Sequence, residues 1–418
     1  VYLGNMTAQL YAVDADTGEY KWHFQETPED RWDFDSNAQI TAADLDVNGQ
    51  KRRVVLHAPK NGYFYMLDAK SGQFISAGSF APQTWTTGID PKTGRAQINP
   101  DAKYEKTGKP FLALPGAAGA HSWQPMSFSQ QTGLVYIPAN LAAMPYAAAK
   151  DWKPTDIGFQ TGMDGALTAA PADKAVREGA KAATTGALIA WDPVKQKEAW
   201  RVTFTGPWNG GTLATAGNLV FQGNADGYLA AYTADKGAKL WSFPTQTGVI
   251  AAPMTYLVDG EQYVAVMAGW GGVWDIATGV VARKSAGHYN ISRLLVFKLG
   301  AKGQLPAMKE LNQLPLDPPP FTGKPEQVAA GADKFARYCS VCHGDAALPG
   351  TINPDLRRSQ YINAAEGIRA VVIDGVLMHG DNPKGMVSFK SALSADDVEN
   401  IRQYLIKRAN EDKALGDK

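Results

Sequence analysis

The chain has 418 residues, with 41 basic and 41 acidic side chains and a formal net charge of zero. That balance argues against nucleic acid or an anionic bilayer surface as the main partner, and no apolar run reaches the roughly 18 residues needed to span a membrane. A hydrophobic content of 44%, with Gly 42, Pro 25, Trp 11 and Tyr 16, is enough for two or three domains and leans towards an all-β region with many turns.

The first residues, VYLGNMTAQLYAVD, lack an initiator Met and read as the inside of a strand. The expectation is a C-terminal part of a longer protein, with any export signal lying upstream. A repeat follows. AVDADTGEYKW (12–22) has the form A-x-D-x-x-x-G-x-x-x-W; IAWDPVKQKEAW (189–200) and AAYTADKGAKLW (230–241) fit with one or two departures, and MLDAKSGQFI (66–75) keeps the Asp and Gly without the Trp. Short strands such as VVLHA, GYFYML, GLVYIPA, NLVFQG and QYVAVMAGW, broken by Asp-Gly, Asn-Gly and Thr-Gly turns, predict antiparallel meanders. Repeated four-stranded units, each with an aromatic that packs on its neighbour, suggest a β-propeller over residues 1–303; an irregular β-sandwich is the alternative.

After the first repeat comes RWDFDSN (31–37), where Asp33 and Asp35 sit two apart, flanked by Trp32 and Phe34. On an extended chain both carboxylates point to one side, a geometry suited to holding a cation; a solvated turn is the other reading of so many turn formers.

Residues 304–324 form a Pro-rich linker, and LPLDPPPFTGKPEQV should run extended. Beyond it the period turns helical. EQVAAGADKFARY places Val328, Ala332 and Phe335 on one face, and SADDVENIRQYLIKRAN has Ser394 as an N-cap, Asp397 three residues on, and Val398, Ile401 and Leu405 inward. A small all-α domain is predicted over 325–418. Its two cysteines, the only ones in the chain, lie in CSVCH. Cys339 and Cys342 can add to the two vinyl groups of one haem c while His343 reaches the iron. A zinc site lacks its second pair, and a redox dithiol normally follows a strand, so haem is favoured. Thioether sulfur is the usual sixth ligand of an electron carrier; Met386, after Gly385, is preferred over Met378, with His379 as an outside choice.

A propeller tethered to a c-type cytochrome resembles the quinohaemoprotein alcohol dehydrogenases, periplasmic enzymes that use pyrroloquinoline quinone. YKWHFQETPEDRWDFDS, VVLHAPKNGYFYMLD, GAHSWQPMSFSQQTGLVY, GPWNGGTLATAGNLVFQG and GWGGV carry the likeness, which covers essentially the whole chain. It implies an eight-bladed propeller of which about half is present, followed by the cytochrome. The other half would bring the metal-binding Glu and Asn, a Trp beneath the quinone and a disulfide of adjacent cysteines. By motif, Asp33 matches the family's catalytic base and Lys60 the cation that hydrogen-bonds the quinone carbonyls. Ser122 and Trp123 match an Asn-Trp pair at the cofactor edge, with Ser departing from the family's Asn; Trp208, Asn209 and Trp270 match segments lining the pocket. Each of these Trp residues taken alone reads better as blade-packing core.

The resemblance further implies a metal ion at Asp33. Calcium is common in the family, whereas an Asp two places after the base, here Asp35, marks the lanthanide-using members. A trivalent ion gains from one more carboxylate. The expected substrate is a small alcohol, and the expected electron acceptor a soluble cytochrome, a copper protein or a terminal oxidase. A sugar or polymer-alcohol dehydrogenase on the same scaffold, and a non-catalytic propeller-cytochrome electron-transfer protein, remain alternatives.

Overall fold

Five antiparallel meanders follow one another between Tyr2 and Lys298 in the computed structural model, which describes residues 1–158, 160–168, 173–271, 290–308, 314–349, 353–377 and 385–416. Three are four-stranded and run in chain order: Thr41–Val47 to Phe74–Ser79, Ser127–Ser129 to Lys197–Phe204, and Thr212–Thr215 to Lys239–Pro244. The two flanking sheets, Tyr2–Gly4 to Tyr20–Gln25 and Met254–Val258 to Arg293–Lys298, have three strands among the described residues. Successive meanders of this kind are propeller blades. Inner strands read as continuous apolar runs because both faces are covered. Tyr63–Leu67 is buried at every position, and one core cluster joins Val54, Leu56, Phe64 and Met66 of one blade to Val135, Ile137, Ile189 and Trp191 of the next.

The repeat has a local cause and a long-range one. Asp14 accepts hydrogen bonds from the backbone N–H of Asp16 and Thr17 (3.0 and 3.2 Å), and Gly18 takes the left-handed conformation (φ 73°). Asp68 and Gly72, and Asp192 with Gln196 in place of Gly, repeat this turn. In each hairpin the strand pairing slips one residue before the turn, at Ala12/Val13, Met66/Leu67, Ala190/Trp191 and Ala231/Tyr232, the signature of a bulge. The repeat's Trp serves the neighbour. Trp22 lies flat enough on Gly72 that a Cβ there would sit 2.5 Å from the ring, and its indole donates to Ala69 O (3.2 Å). Trp200 meets Gly237 and Ala234 O in the same way (2.5 and 3.1 Å). Thus the Gly of one copy is the dock for the Trp of the copy before.

Two packing units divide the chain: the described residues of Val1–Tyr146, Ala182–Gly271 and Asn290–Lys309, and those of Ala147–Lys181 and Glu310–Lys418. The second is helical. Pro325–Tyr338 crosses Ala395–Ala414, with Phe335, Val398, Ile401 and Leu405 buried between them. Ser394 caps the last helix, since its Oγ accepts from Asp397 N (3.1 Å) while the Asp397 carboxylate accepts from Ser394 N (2.9 Å). The segment from 147 to 181 belongs to this unit. Arg177 donates to the fully buried Asp412 (2.7 Å), which also receives Arg357 (2.7 Å) and Arg408 (2.9 Å). Burial alone would raise the Asp412 carboxyl, but Arg408 and its two companions hold it below the usual range. Among the described residues no helix is long and apolar enough to cross a membrane.

Where the two long helices cross, a Cβ on Gly331 would lie 2.0 Å from the Asn400 carbonyl oxygen. Gly331→Ala should therefore force them apart and cost about 1–3 kcal/mol, read as a lower melting midpoint of the helical unit by circular dichroism.

Candidate active site and haem-binding segment

The acid pair sits on a loop whose alternate residues are anchored. Trp32 and Phe34 are fully buried and pack on Trp85, with ring centroids 5.4 and 5.6 Å away. Asp33, between them, is turned outward with 60% of its side chain exposed, while Asp35 is buried. The chain is not extended here: Asp33 has φ 66°, a left-handed conformation unusual for a residue with a side chain. Asp30 holds this kink, its carboxylate accepting from Trp32 N (3.0 Å) and Phe34 N (2.8 Å). Tyr146 OH adds a bond to Trp32 O (2.9 Å). The two acids nevertheless converge, because both meet the Lys60 ammonium, which donates to Asp33 Oδ2 (3.1 Å), Asp33 O (2.8 Å) and Asp35 Oδ1.

Lys60 is 6% exposed. Its stem runs against Gly119 (φ 78°), where a Cβ would fall 2.3 Å from Lys60 Cγ, and Ala120 N donates to Lys60 O (2.8 Å). Partial burial raises the Asp33 carboxyl above the usual range, opposed by Lys60 and reinforced by Asp35; its open face limits that rise. Asp30 is raised too, again chiefly by burial.

The other residues matched by motif form a second group. Ser122 is buried and Trp123 is 42% exposed; the Trp123 ring meets Trp208 edge to face at 6.4 Å. Trp208 is also left-handed (φ 67°), and its N–H donates to Asn140 Oδ1 (2.8 Å). Asn140 in turn bonds Ala120 O through its N–H (2.7 Å) and Gly119 O through its amide (3.3 Å). One buried Asn therefore ties Trp208 to the loop that supports Lys60. Asn209 accepts from Ala225 N (3.1 Å) and donates to Gly206 O (3.0 Å). Trp270 packs on Gly248 and donates its N–H to Asn290 Oδ1 (2.9 Å), away from the acid–lysine group's own contacts.

Two carboxylates and a carbonyl that already surround one positive group are hard oxygen donors suited to a metal ion. Among the described residues no three His, Cys, Asp or Glu side chains are grouped to hold a metal ion, so these donors alone do not complete a ligand set. The Lys60 ammonium is a nearly buried donor of the kind a quinone carbonyl accepts.

In the helical unit the chain turns once through Ser340–His343, with Cys342 N and His343 N both donating to Cys339 O (3.1 and 2.9 Å). Burial pushes the Cys339 thiol up to about 12, whereas Cys342 is exposed. His343 Nδ1 donates to Pro354 O (3.0 Å), which fixes the tautomer and leaves the Nε2 lone pair for a metal. Burial holds this ring neutral by lowering its pKa. These features fit a covalently held haem. Met386 pairs its backbone with Val376 (2.8 and 2.9 Å) and packs beside the cluster of Phe335, Tyr338 and Phe389. Met378 and His379 lie outside the described residues.

Residues 4–77 and 104–264 match the family described as the glucose/ethanol/alcohol dehydrogenase β-propeller domain, and 326–405 match the cytochrome c oxidase cbb3-type subunit III family. The chain is 45% identical over 411 residues, 97% of its length, to quinohemoprotein alcohol dehydrogenase ADH IIB of Pseudomonas putida. The chain belongs to the quinohaemoprotein alcohol dehydrogenase family. Among solved members, ADHIIG of Pseudomonas putida HK5 superposes with a TM-score of 0.86 at 41% identity, over 98% of this chain and 59% of that one. A europium-containing methanol dehydrogenase aligns with a TM-score of 0.60 at 29% identity, over 70% and 53%. The chain spans about half the length of the curated relatives it matches, 56% for ADH IIB and 54% for the quinone-type alcohol dehydrogenase subunit of Komagataeibacter europaeus.

Several supporting residues were not singled out from the sequence. Asn140 had a signal, a polar residue inside the apolar strand LVYIPANL, which needs a partner once buried. His121 had less. It is fully buried with Nδ1 at 2.6 Å from Ala58 O and Nε2 at 2.7 Å from Gln124 O, linking the Lys60 loop to the Ser122–Trp123 loop. Burial outweighs both carbonyls and lowers its pKa to about 4. Below the ordinary value of about 6.5 the unfolded chain takes up a proton that the folded one refuses, so stability falls as pH drops from there to about 4. The wild-type chain should lose on the order of 3 kcal/mol across that window relative to His121→Gln, checked by urea unfolding at both ends.

Proposed function

We propose that this chain supplies the base, the quinone-facing cation and the haem of a periplasmic quinohaemoprotein dehydrogenase that oxidises a small alcohol to an aldehyde. In this reading residues 1–303 are propeller blades, 304–324 the tether and 325–418 the cytochrome, with the segment 147–181 added to the latter. The observation that carries it is the convergence of Asp33, Asp35 and Lys60 on one point.

Asp33 is the base. Its exposed, kinked position lets a hydroxyl approach, and its raised pKa moves proton affinity towards that of a working base. Lys60 donates hydrogen bonds where negative charge develops and holds Asp33 in orientation. By motif, Ser122, Trp123, Trp208, Asn209 and Trp270 would line the cofactor and substrate pocket. Pyrroloquinoline quinone, when bound, supplies the two-electron acceptor. Asp33 and Asp35 would hold a metal ion, which would supply Lewis acidity beside the quinone. Cys339 and Cys342 would hold a haem c covalently and His343 and Met386 would bind its iron, and the group would supply a one-electron outlet to a soluble cytochrome, a copper protein or an oxidase.

Asp35 favours a lanthanide over calcium at this position. Lys60 neutralises only one of the two carboxylates, so a trivalent ion gains more than a divalent one from the charge that remains. The europium-containing structural neighbour supports that reading.

Adding a primary alcohol to the holoenzyme should reduce an artificial dye, and Asp33→Asn should slow this by about 100-fold or more while the haem absorption spectrum stays unchanged. Full activity in that variant refutes the base assignment. Lanthanum should reactivate the metal-stripped enzyme far better than calcium; equal rescue removes the role given to Asp35.

A further inference from the structure

Linked to the acid-pair loop is a buried acid and imidazole that touch neither substrate nor cofactor in the reading above. Glu26 and His57 are both fully buried, with Glu26 Oε1 at 2.7 Å from His57 Nδ1. The other imidazole nitrogen, Nε2, faces Ala38 O at 3.2 Å. Both ring nitrogens thus face oxygens, so the imidazole is held from two sides, by Glu26 and by Ala38. A buried pair of this kind fixes one arrangement, because either partner left alone would be an unsatisfied polar group out of water.

What it fixes is the loop of the acid pair. The second carboxylate oxygen of Glu26 accepts from Ser36 Oγ (2.5 Å), the residue next to Asp35. The segment 26–36 therefore leaves and returns to a single carboxylate, with Asp33 and Asp35 on the span between. The backbone carbonyl of Glu26 meanwhile receives Asn61 Nδ2 (3.3 Å), the neighbour of Lys60, and Tyr65 OH (3.1 Å). Asn61 Nδ2 also reaches Thr27 Oγ1 (3.2 Å). Both sides of the Lys60 contact are tied to one residue.

We propose that Glu26 and His57 are positioning residues: their buried hydrogen bond holds the Asp33–Asp35 loop in register with Lys60 and so sets the geometry offered to the metal ion. This rests on the acid-pair reading given under Proposed function. Removing the pin leaves every acid in the chain but lets Asp35 shift, and outer partners of metal ligands commonly govern affinity and rate by about 10- to 100-fold.

In the holoenzyme, Glu26→Gln and His57→Gln should each lower kcat by about 10- to 100-fold with KM for the alcohol little changed. Each should also weaken lanthanum binding to the metal-stripped protein by a similar factor, followed by Trp fluorescence. The double variant should lose no more than the worse single one, because both remove the same pin. Melting curves taken alongside separate positioning from unfolding. Unchanged lanthanum affinity in both variants, or losses seen only where the fold is already melting, overturns the proposal. Asp33→Asn, measured as a reference, tells the two failures apart: if it too leaves lanthanum affinity and kcat intact, the acid-pair reading has failed and the positioning role falls with it.

Discussion

One ammonium shared by two carboxylates organises the propeller's candidate site. Lys60 brings a single positive charge to Asp33 and Asp35, so the group carries a formal excess of one negative charge in a place where Asp35 has almost no access to water. A charge taken out of solvent must be paired. Asp35 is paired with Lys60, whereas Asp33 keeps an open face to solvent, and the metal ion proposed above would balance this second acid. The surrounding chain serves this arrangement: Trp32 and Phe34 are pulled into an aromatic cluster so that Asp33 faces out, Asp30 braces the kink, and the missing side chain of Gly119 makes room for the lysine stem.

The fold supplies rigidity by a simple device repeated around the blades. The repeat turns come with bulges, and two of their glycines, Gly72 and Gly237, each receive an indole from the preceding repeat. Blade contacts are thereby set by backbone shape as well as by apolar area. That stiffness suits a site in which two residues, Asp33 and Trp208, occupy left-handed conformations. Such conformations persist only where neighbours over-determine them, and here Asp30 and Asn140 do so through hydrogen bonds to the adjoining N–H groups.

Features written over a few residues were legible in the sequence. CSVCH, the Ser394–Asp397 cap, the D-x-x-x-G turn and the Trp repeat each act within about a dozen positions, so spacing alone exposes them. The closeness of Asp33 and Asp35 was also readable, though its cause was not: the carboxylates meet through a left-handed kink and Lys60, not through the alternation of an extended strand. What escaped was long-range. Glu26 and His57 are 31 positions apart, Asn140 and Trp208 are 68, and Arg177 and Asp412 are 235. No local pattern announces which distant acid a buried base will find; only the assembled fold does.

That last pair makes the haem-bearing unit discontinuous in the chain. A piece cut out at the Pro-rich tether would keep Arg357 and Arg408 beside Asp412 but forfeit Arg177, and it would strip the Lys153 carbonyl from Arg337 on the helix that leads into Cys339. The cytochrome is therefore not a cassette that can be grafted elsewhere by its C-terminal stretch alone. Any transplant has to carry an excursion borrowed from the middle of the propeller.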